Sequence, residues 1–323
     1  MENTEKRTIR GLPLPVSPVF FGTAMEPLMR DGDAAAGLLD SVLEAGVNAF
    51  DCARSYGQAE VALGRWIRAR GCRDEVAILT KCGDIREGRV EVNRGVIREQ
   101  MAQSLDRLQT DCIDLYLLHR DDPKTPVEEF IDTLNEARQA GMISLFGVSN
   151  WTHQRIEAAN RYAAEKGLCG FSLSSPNYGL ARQMKDLWGG GCVTLSGPEN
   201  EDARAWYRAN QMPVIAYSSL GRGFFSGRFR AGDYEGARRV LDRYAQQGYL
   251  YEENMARLAR VETLAAREGQ SVPEIAMRYA FASGMNLFAV VSTASPERLR
   301  MNLRAAASPL SGEEAAWLEG PDP

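Results

Sequence analysis

The sequence lacks the features that mark membrane proteins, nucleic-acid binders and metalloproteins. No apolar run approaches the roughly 18 residues of a membrane-spanning helix, and the opening stretch MENTEKRTIRG has no apolar core of a signal peptide. The net charge of −5 argues against a nucleic-acid partner, because proteins that bind nucleic acids normally carry a basic surface. The six cysteines form no CxxC pair, so neither a zinc site nor a disulfide framework is indicated. We therefore expect a cytoplasmic protein with reduced thiols, no bound metal and no membrane or nucleic-acid contact.

Short apolar runs alternate with helical patterns along the whole chain. The runs are Val19–Thr23, Val47–Cys52, Val76–Lys81, Ile113–His119, Ile143–Ser149, Phe171–Ser174, Val214–Tyr217 and Leu287–Ser292. The helical patterns cover about 34–45, 58–70, 94–109, 127–140, 153–166, 200–210, 253–283 and 296–306. Eight nearly continuous apolar strands that alternate with helices indicate parallel pairing and a sheet covered on both faces.

Two parallel folds fit this alternation, an open doubly wound sheet and a closed barrel. The open sheet usually binds a dinucleotide at a GxGxxG turn after its first strand. Only Gly22 lies near that position, and the glycine cluster at 221–227 has the wrong spacing. We therefore predict an α/β fold of the (β/α)8 TIM-barrel type, with its active site at the carboxyl-terminal face of the strands. One domain would cover residues 1–323, with an N-terminal extension over 1–15 and a long loop at 221–250 after the seventh strand.

Four polar residues at strand ends would meet in the pocket of such a barrel. Asp51 ends VNAFD, Lys81 ends AILTK and His119 ends DLYLLH, while Tyr56 lies just beyond the second strand. A phenol has a pKa of ~10, and burial alone raises it. A neighbouring ammonium at Lys81, balanced by Asp51, would lower that pKa and turn the phenol into a proton donor. An imidazole at His119 can orient a carbonyl or relay a proton.

Each of these residues also has a structural explanation when it is taken alone. A histidine at a strand end is often a satisfied core residue, and a single Asp–Lys pair is more often structural than catalytic. A tyrosine in a loop can simply pack over the barrel mouth. Arg54 and Arg120 flank the predicted site and suggest oxygen-rich or anionic substrates, although both can be solvated loop charges. The combination of four groups on one face favours catalysis.

Five segments resemble the aldo-keto reductase family in order and spacing. They are DCARSYGQAEVALGRWI, ILTK, DLYLLH, FGVSNW and IAYSSLGRGFFSGRF. The resemblance runs from about Val19 to Asn302 and implies a bound nicotinamide dinucleotide and reversible interconversion of a carbonyl and an alcohol. By this resemblance Tyr56 protonates the carbonyl oxygen, Lys81 and Asp51 tune its acidity, and His119 positions the substrate.

The same resemblance implies a cofactor site along the strand ends. The nicotinamide half would be held by Gly22, Thr23, Ala24, Ser149, Asn150, Ser175 and Tyr217, with Tyr217 stacked on the ring. The pyrophosphate and adenosine half would be held by Ser218, Leu220, Arg222, Ser292, Thr293, Arg298 and Asn302. Ser175 stands where the family usually has a glutamine, and Ser292 where many members have a lysine. Because Arg298 keeps a guanidinium that can bind a phosphate, NADP(H) is favoured, with NAD(H) as the alternative.

Three functions are compatible with these residues. The first is an NADP(H)-dependent oxidoreductase that acts on a small aldehyde, ketone or keto-sugar, or on the matching alcohol. The second is a nucleotide-binding sensor or regulatory subunit on the same barrel, and the third is a lyase that uses Lys81 as a Schiff base. The complete set of four favours the first over the second. The counter-ion Asp51 and the segment GVSN favour it over the third. The sequence leaves the physiological substrate and the oligomeric state open.

Overall fold

Eight parallel strands close into a barrel in chain order, in a computed structural model that describes residues 5–30, 35–85 and 88–320. The strands are β1 (Val19–Gly22), β2 (Ala49–Asp51), β3 (Ala77–Cys82), β4 (Ile113–Leu118), β5 (Ile143–Ser149), β6 (Ser174–Ser175), β7 (Val214–Ala216) and β8 (Leu287–Val291). The last strand closes on the first through the pairs Val19–Ala289 and Phe21–Val291. The predicted (β/α)8 barrel is therefore confirmed.

Helices follow the strands and cover the outside of the barrel. They are α1 (Glu26–Arg30), α2 (Ala36–Glu44), α3 (Ala59–Arg70), α4 (Arg94–Leu108), α5 (Val127–Gln139), α6 (His153–Glu165), α7 (Glu201–Asn210), α8 (Tyr234–Val240), α9 (Arg243–Tyr249), α10 (Glu252–Glu268), α11 (Val272–Phe281), α12 (Pro296–Ala307) and α13 (Gly312–Glu319). Helix α5 illustrates their packing, since Phe130, Ile131 and Leu134 are fully buried on its inner face. Within the described ranges, no helix is both long and apolar enough to cross a membrane.

The alternation of side chains along each strand decides which residues reach the lumen. Ala49, Ala77, Leu79, Leu115 and Leu117 belong to a buried cluster inside the barrel. Two residues after the last of these on each strand come Asp51, Lys81 and His119. Because successive side chains of a strand point to opposite faces, these three point into the lumen at its upper rim. The neighbouring thiols of Cys52 and Cys82 lie instead in the outer layer, between the sheet and the helices.

The N-terminal segment closes the base of the lumen. Arg7 and Val16 exchange backbone hydrogen bonds of 2.7 and 2.9 Å as an antiparallel bridge. Between them, Ile9 and Leu12 are buried and join the same inner cluster as the strand residues. The Arg7 guanidinium donates to the carbonyl of Leu287 at 2.9 Å, which fixes the segment to β8. The described part of the predicted 1–15 extension is thus a plug beneath the barrel.

Two segments of the chain differ from the sequence prediction. The single helical pattern over 253–283 is two helices, because α10 ends at Gly269 in a left-handed conformation and α11 starts with Pro273 in its first turn. The predicted loop at 221–250 contains α8 and α9, which are capped by the side chains of Asp233 and Asp242. The predicted first helix began at Ala34, which lies outside the described residues.

Candidate active site

A cavity of about 670 Å³ opens at the carboxyl ends of the strands. All the predicted site residues except Thr23 line it: Gly22, Ala24, Asp51, Tyr56, Lys81, His119, Ser149, Asn150, Ser175, Tyr217, Ser218, Leu220, Arg222, Ser292, Thr293, Arg298 and Asn302. Thr23 is wholly buried, and its hydroxyl donates to the Asp51 carbonyl at 3.0 Å. The Thr23 side chain therefore holds the β1–β2 junction, and its predicted part in holding the nicotinamide half stays a prediction.

Lys81 and Asp51 form a buried ion pair at the rim of the barrel. The Lys81 ammonium is 2.6 Å from Asp51 Oδ1 and donates a second hydrogen bond of 2.8 Å to the Cys52 carbonyl. Their side chains are 4% and 7% exposed, so solvent does little to screen the contact. Burial lowers the pKa of Lys81, but Asp51 and Tyr56 outweigh it and raise the pKa to about 12. The lysine is therefore a fixed positive charge at neutral pH.

Tyr56 lies in the loop after β2, and its ring is close to both Lys81 and His119. The Lys81 ammonium is 5.2 Å from the ring centroid, and the His119 ring packs edge-on at 5.9 Å. Burial raises the pKa of Tyr56 to about 12, and Lys81 lowers it only in part, because Asp51 and Asp84 act with burial. The expectation of an acidified phenol is thus wrong for the balance of charges in this site. The phenol is fully protonated at neutral pH.

His119 is buried, with 8% of its surface exposed. Burial lowers the pKa of the imidazole to about 3, although Asp84 acts in the opposite direction. Its Nδ1 lies 3.6 Å from Asp84 Oδ2, which is too long for a hydrogen bond, and has no other partner among the described residues. The ring is therefore neutral and keeps hydrogen-bonding capacity for a ligand.

Asn150 links the residues predicted to hold the nicotinamide. It adopts a left-handed backbone conformation with φ of 61° after β5. Its amide donates to the His119 carbonyl at 3.2 Å, and its Oδ1 accepts the Tyr217 hydroxyl at 2.7 Å. The Ser149 hydroxyl donates to the Ser175 carbonyl and the Ser175 hydroxyl donates to the Ile215 carbonyl, both at 2.8 Å. This network fixes the floor of the cavity beside His119.

The far end of the cavity lies between β1, β8 and α12. The Ser292 hydroxyl donates to the Gly22 carbonyl at 2.8 Å, and a Cβ on Gly22 would come within 2.5 Å of that oxygen. Asn302 is 1% exposed, and its Oδ1 has no hydrogen-bond partner in the described structure. Arg298 lines the cavity from the first turn of α12. These groups leave room and unused polar atoms for an elongated polar ligand.

The sequence prediction missed several residues of the cavity wall. Asp84 and Trp188 line it, and each follows a glycine or lies in a glycine-rich loop rather than in a periodic segment. Trp188 packs edge-on against Tyr217 at 5.8 Å and lies under the Arg222 guanidinium at 5.5 Å. Asp84 follows Lys81 by three residues. An acidic residue so soon after a strand was the sequence feature that could have indicated a site residue. No group of three or more His, Cys, Asp or Glu that could hold a metal ion occurs in the described parts of the chain.

Comparisons with known proteins agree with this architecture. The model of the Aldo/keto reductase family matches residues 19–320. A curated relative, the aldo-keto reductase ausK of Emericella nidulans, is 30% identical over 96% of this chain and 78% of its own length. The aldo-keto reductase yakc [NADP(+)] of Schizosaccharomyces pombe is 26% identical over 84% of this chain and 78% of its own.

A solved structure shares the fold. The glycerol dehydrogenase AKR11B4 of Gluconobacter oxydans superposes with a TM-score of 0.74 at 23% identity, covering 98% of this chain and 94% of that one. The family match spans nearly the whole barrel, including every strand that carries a residue of the cavity. The chain belongs to the aldo/keto reductase family and is an oxidoreductase enzyme of that family.

Proposed function

We propose that the enzyme interconverts a carbonyl compound and its alcohol with NADP(H), and that Tyr56 is the general acid and base. The observation that carries this proposal is the Lys81–Asp51 pair at 2.6 Å, with the same ammonium 5.2 Å from the Tyr56 ring. The His119 ring packs edge-on against the same ring at 5.9 Å, and all four residues border one cavity.

A nicotinamide dinucleotide held along the strand ends would supply the hydride. In carbonyl reduction, Tyr56 gives its phenolic proton to the carbonyl oxygen as negative charge develops there. The fixed charge of Lys81 stabilises the phenolate that remains, and Asp51 holds that charge in place. His119 is neutral and orients the carbonyl oxygen by a hydrogen bond. In alcohol oxidation the phenolate accepts the proton. General acid–base help of this kind contributes roughly 10²–10⁴-fold to the rate.

The residues of the cavity fit a dinucleotide. The unpartnered Asn302 Oδ1 is a buried acceptor that suits an exocyclic amine of adenine, and Ser219 Oγ is a second buried atom without a partner in the described structure. Buried polar atoms are rarely left without a partner, so both are consistent with a polar ligand. Helix α12 starts beside them with Pro296 in its first turn, and helix N-termini favour phosphate groups.

A preference for NADP(H) is supported by the charge at this end of the cavity. Arg298 has neither an ion pair nor a side-chain hydrogen bond among the described residues, whereas Arg222 pairs with Asp242 at 2.7 Å. A free guanidinium suits the additional phosphate of NADP(H). The yeast relative yakc is named for NADP(+), which agrees with this assignment.

The state of Lys81 argues against a Schiff-base lyase. A Schiff base needs a neutral amine, and lysines that form one have a lowered pKa. Asp51 and Tyr56 raise the pKa of Lys81 despite its burial, so the nucleophilic form is scarce. Borohydride trapping with a carbonyl substrate should give no adduct on Lys81.

The proposal is tested by following cofactor oxidation with aldehydes, ketones and keto-sugars, with NADPH and NADH in parallel. Turnover with NADPH exceeding that with NADH is expected. Tight binding of NADPH without turnover of any substrate would contradict the proposal and favour a nucleotide sensor on the same barrel.

A further inference from the structure

The two arginines that flank the catalytic residues have different surroundings. Arg54 donates to Gln103 at 2.7 Å and does not line the cavity. Arg120 follows His119 directly, is 4% exposed and borders the cavity. A charged side chain that is this deeply buried requires partners. Arg120 is therefore the arginine whose hydrogen bonds must be accounted for.

Arg120 has few partners for a buried guanidinium. Its Nε lies 3.4 Å from Asp84 Oδ1, and its Nη1 lies 3.3 Å from the Cys192 sulfur. A thiol is a weak acceptor. Its Nη2 makes no hydrogen bond with any described residue, and this nitrogen is not among the fully buried polar atoms that lack a partner. Since the side chain borders the cavity, this nitrogen is a donor available to a ligand.

Asp84 supplies an acceptor beside that donor. Its side chain is 29% exposed and lines the cavity. Oδ1 accepts the Ile85 amide at 2.9 Å, while Oδ2 is 3.6 Å from His119 Nδ1 and is not engaged there. The Ser55 side chain also hydrogen-bonds the carboxylate, whose two oxygens can accept further hydrogen bonds. The carboxylate therefore adjoins both Arg120 and His119. A ligand group that contacts both Arg120 and Asp84 therefore lies beside His119.

The charges of the pair select the kind of group that fits. A ligand carboxylate would be attracted by Arg120 but would also meet the carboxylate of Asp84, and the two effects oppose each other. A hydroxyl accepts from Nη2 and donates to Oδ2, so it satisfies both groups without adding a charge. A substrate that lacks the hydroxyl forfeits both hydrogen bonds, and where it displaces water from these groups it leaves them unpaired, which discriminates against it.

We infer that Arg120 and Asp84 form a substrate subsite that binds a hydroxyl on the carbon adjacent to the reacting carbonyl. The preferred substrates are then small hydroxylated aldehydes and ketones. This inference rests on the proposed carbonyl reduction, because it assigns one part of that substrate to one part of the cavity.

Three aldehydes of similar size test the inference: propanal, 2-hydroxypropanal, which adds one hydroxyl, and glyoxylate, which carries a carboxylate at that position. For the natural sequence, kcat/KM for 2-hydroxypropanal should exceed that for propanal by about 10-fold or more, with glyoxylate below 2-hydroxypropanal. In Arg120→Met and in Asp84→Ala the ratio of 2-hydroxypropanal to propanal should fall towards one, mainly through the KM of the hydroxylated aldehyde.

Arg54→Met is the matched control, since it removes an arginine from the same rim but outside the cavity, and it should keep the ratio. Thermal melting and cofactor-binding titrations check that each variant is folded. If Arg120→Met does not fold, Arg120→Lys retains the charge but removes the forked donor, and the ratio should still fall several-fold.

The outcomes separate the subsite from the reaction. Equal kcat/KM for propanal and 2-hydroxypropanal in the natural sequence would overturn the subsite while leaving the reductase intact. A preference for glyoxylate that Arg120→Met abolishes would assign the pair to carboxylates and overturn the hydroxyl subsite. No turnover of any aldehyde with either cofactor would overturn the proposed function and this inference together.

Discussion

The two ends of the cavity differ in how their charges are partnered. At the ends of β2 and β3, the Lys81 ammonium is held by Asp51 and a backbone carbonyl at 2.6 and 2.8 Å. At α12, Arg298 has no ion pair and Asn302 Oδ1 no hydrogen bond among the described residues. The first end is organised before any ligand arrives, as a proton-transfer site requires. The second end carries an exposed guanidinium and a buried amide oxygen that have no partner within the described protein and are available to a ligand.

Removal of the Tyr56 hydroxyl should have the largest effect on the reaction. In Tyr56→Phe, kcat for carbonyl reduction should fall by roughly 10²–10⁴-fold because the proton donor is lost. NADPH binding, measured by fluorescence titration, should change little, since the hydroxyl belongs to the chemical end of the cavity. Tyr116→Phe is the control, because that phenol is fully buried in β4 and does not line the cavity. Full turnover by Tyr56→Phe would remove the basis for the proposed mechanism.

Disruption of the Lys81–Asp51 pair should cost both stability and activity. Lys81→Met leaves the Asp51 carboxylate buried and unpaired, which should lower the free energy of unfolding by about 3–5 kcal/mol. The double variant Asp51→Asn with Lys81→Met should recover most of that stability in denaturant unfolding, but not the turnover. If the double variant were as unstable as the single one, the loss would come from packing rather than from charge.

Substitution of Arg298 at the α12 end of the cavity should change the affinity for the cofactor rather than the stability of the protein. Arg298→Gln should weaken NADPH binding by about 10-fold, the usual size of a lost hydrogen bond to a charged group, and NADH binding by much less. The melting temperature without cofactor should stay the same. Arg304→Gln, an exposed arginine in the last turn of α12, serves as the control. Equal losses for NADPH and NADH would show that Arg298 does not read the additional phosphate.

The pH dependence of carbonyl reduction should be the smallest of these effects. It tests the proton-transfer end of the cavity without any substitution. Burial raises the pKa of Tyr56 to about 12, so the proton donor is fully loaded below that value and is lost only as the pH approaches it. His119 is neutral because burial lowers its pKa to about 3. Reduction should therefore be nearly constant between about pH 6 and 9, and oxidation should increase with pH as the phenolate becomes available. A decline in reduction centred between about pH 7 and 8 would contradict these pKa directions.

The sequence was most informative where residues lie on strands. Side-chain alternation along β2, β3 and β4 directs Asp51, Lys81 and His119 to the lumen, and the regular succession of strands and helices along the chain predicted the barrel. Asp84 and Trp188 were missed because both lie in loops, where no periodicity fixes the direction of a side chain. The pKa of Tyr56 was mispredicted for a different reason. Its sign depends on a balance between burial and three nearby charges, which exists only in three dimensions.

The plug formed by the N-terminal segment has a kinetic consequence. Ile9, Leu12 and Val16 pack with the lumen-facing side chains of the strands and close the lower end of the barrel. Ligands therefore reach the catalytic residues from the carboxyl-terminal face of the strands. Cofactor and substrate would then share one entrance to the cavity. The ligand that lies deeper would have to bind first and dissociate last. A compulsory sequence of binding, visible in product-inhibition patterns, would follow from this closed lower end of the barrel.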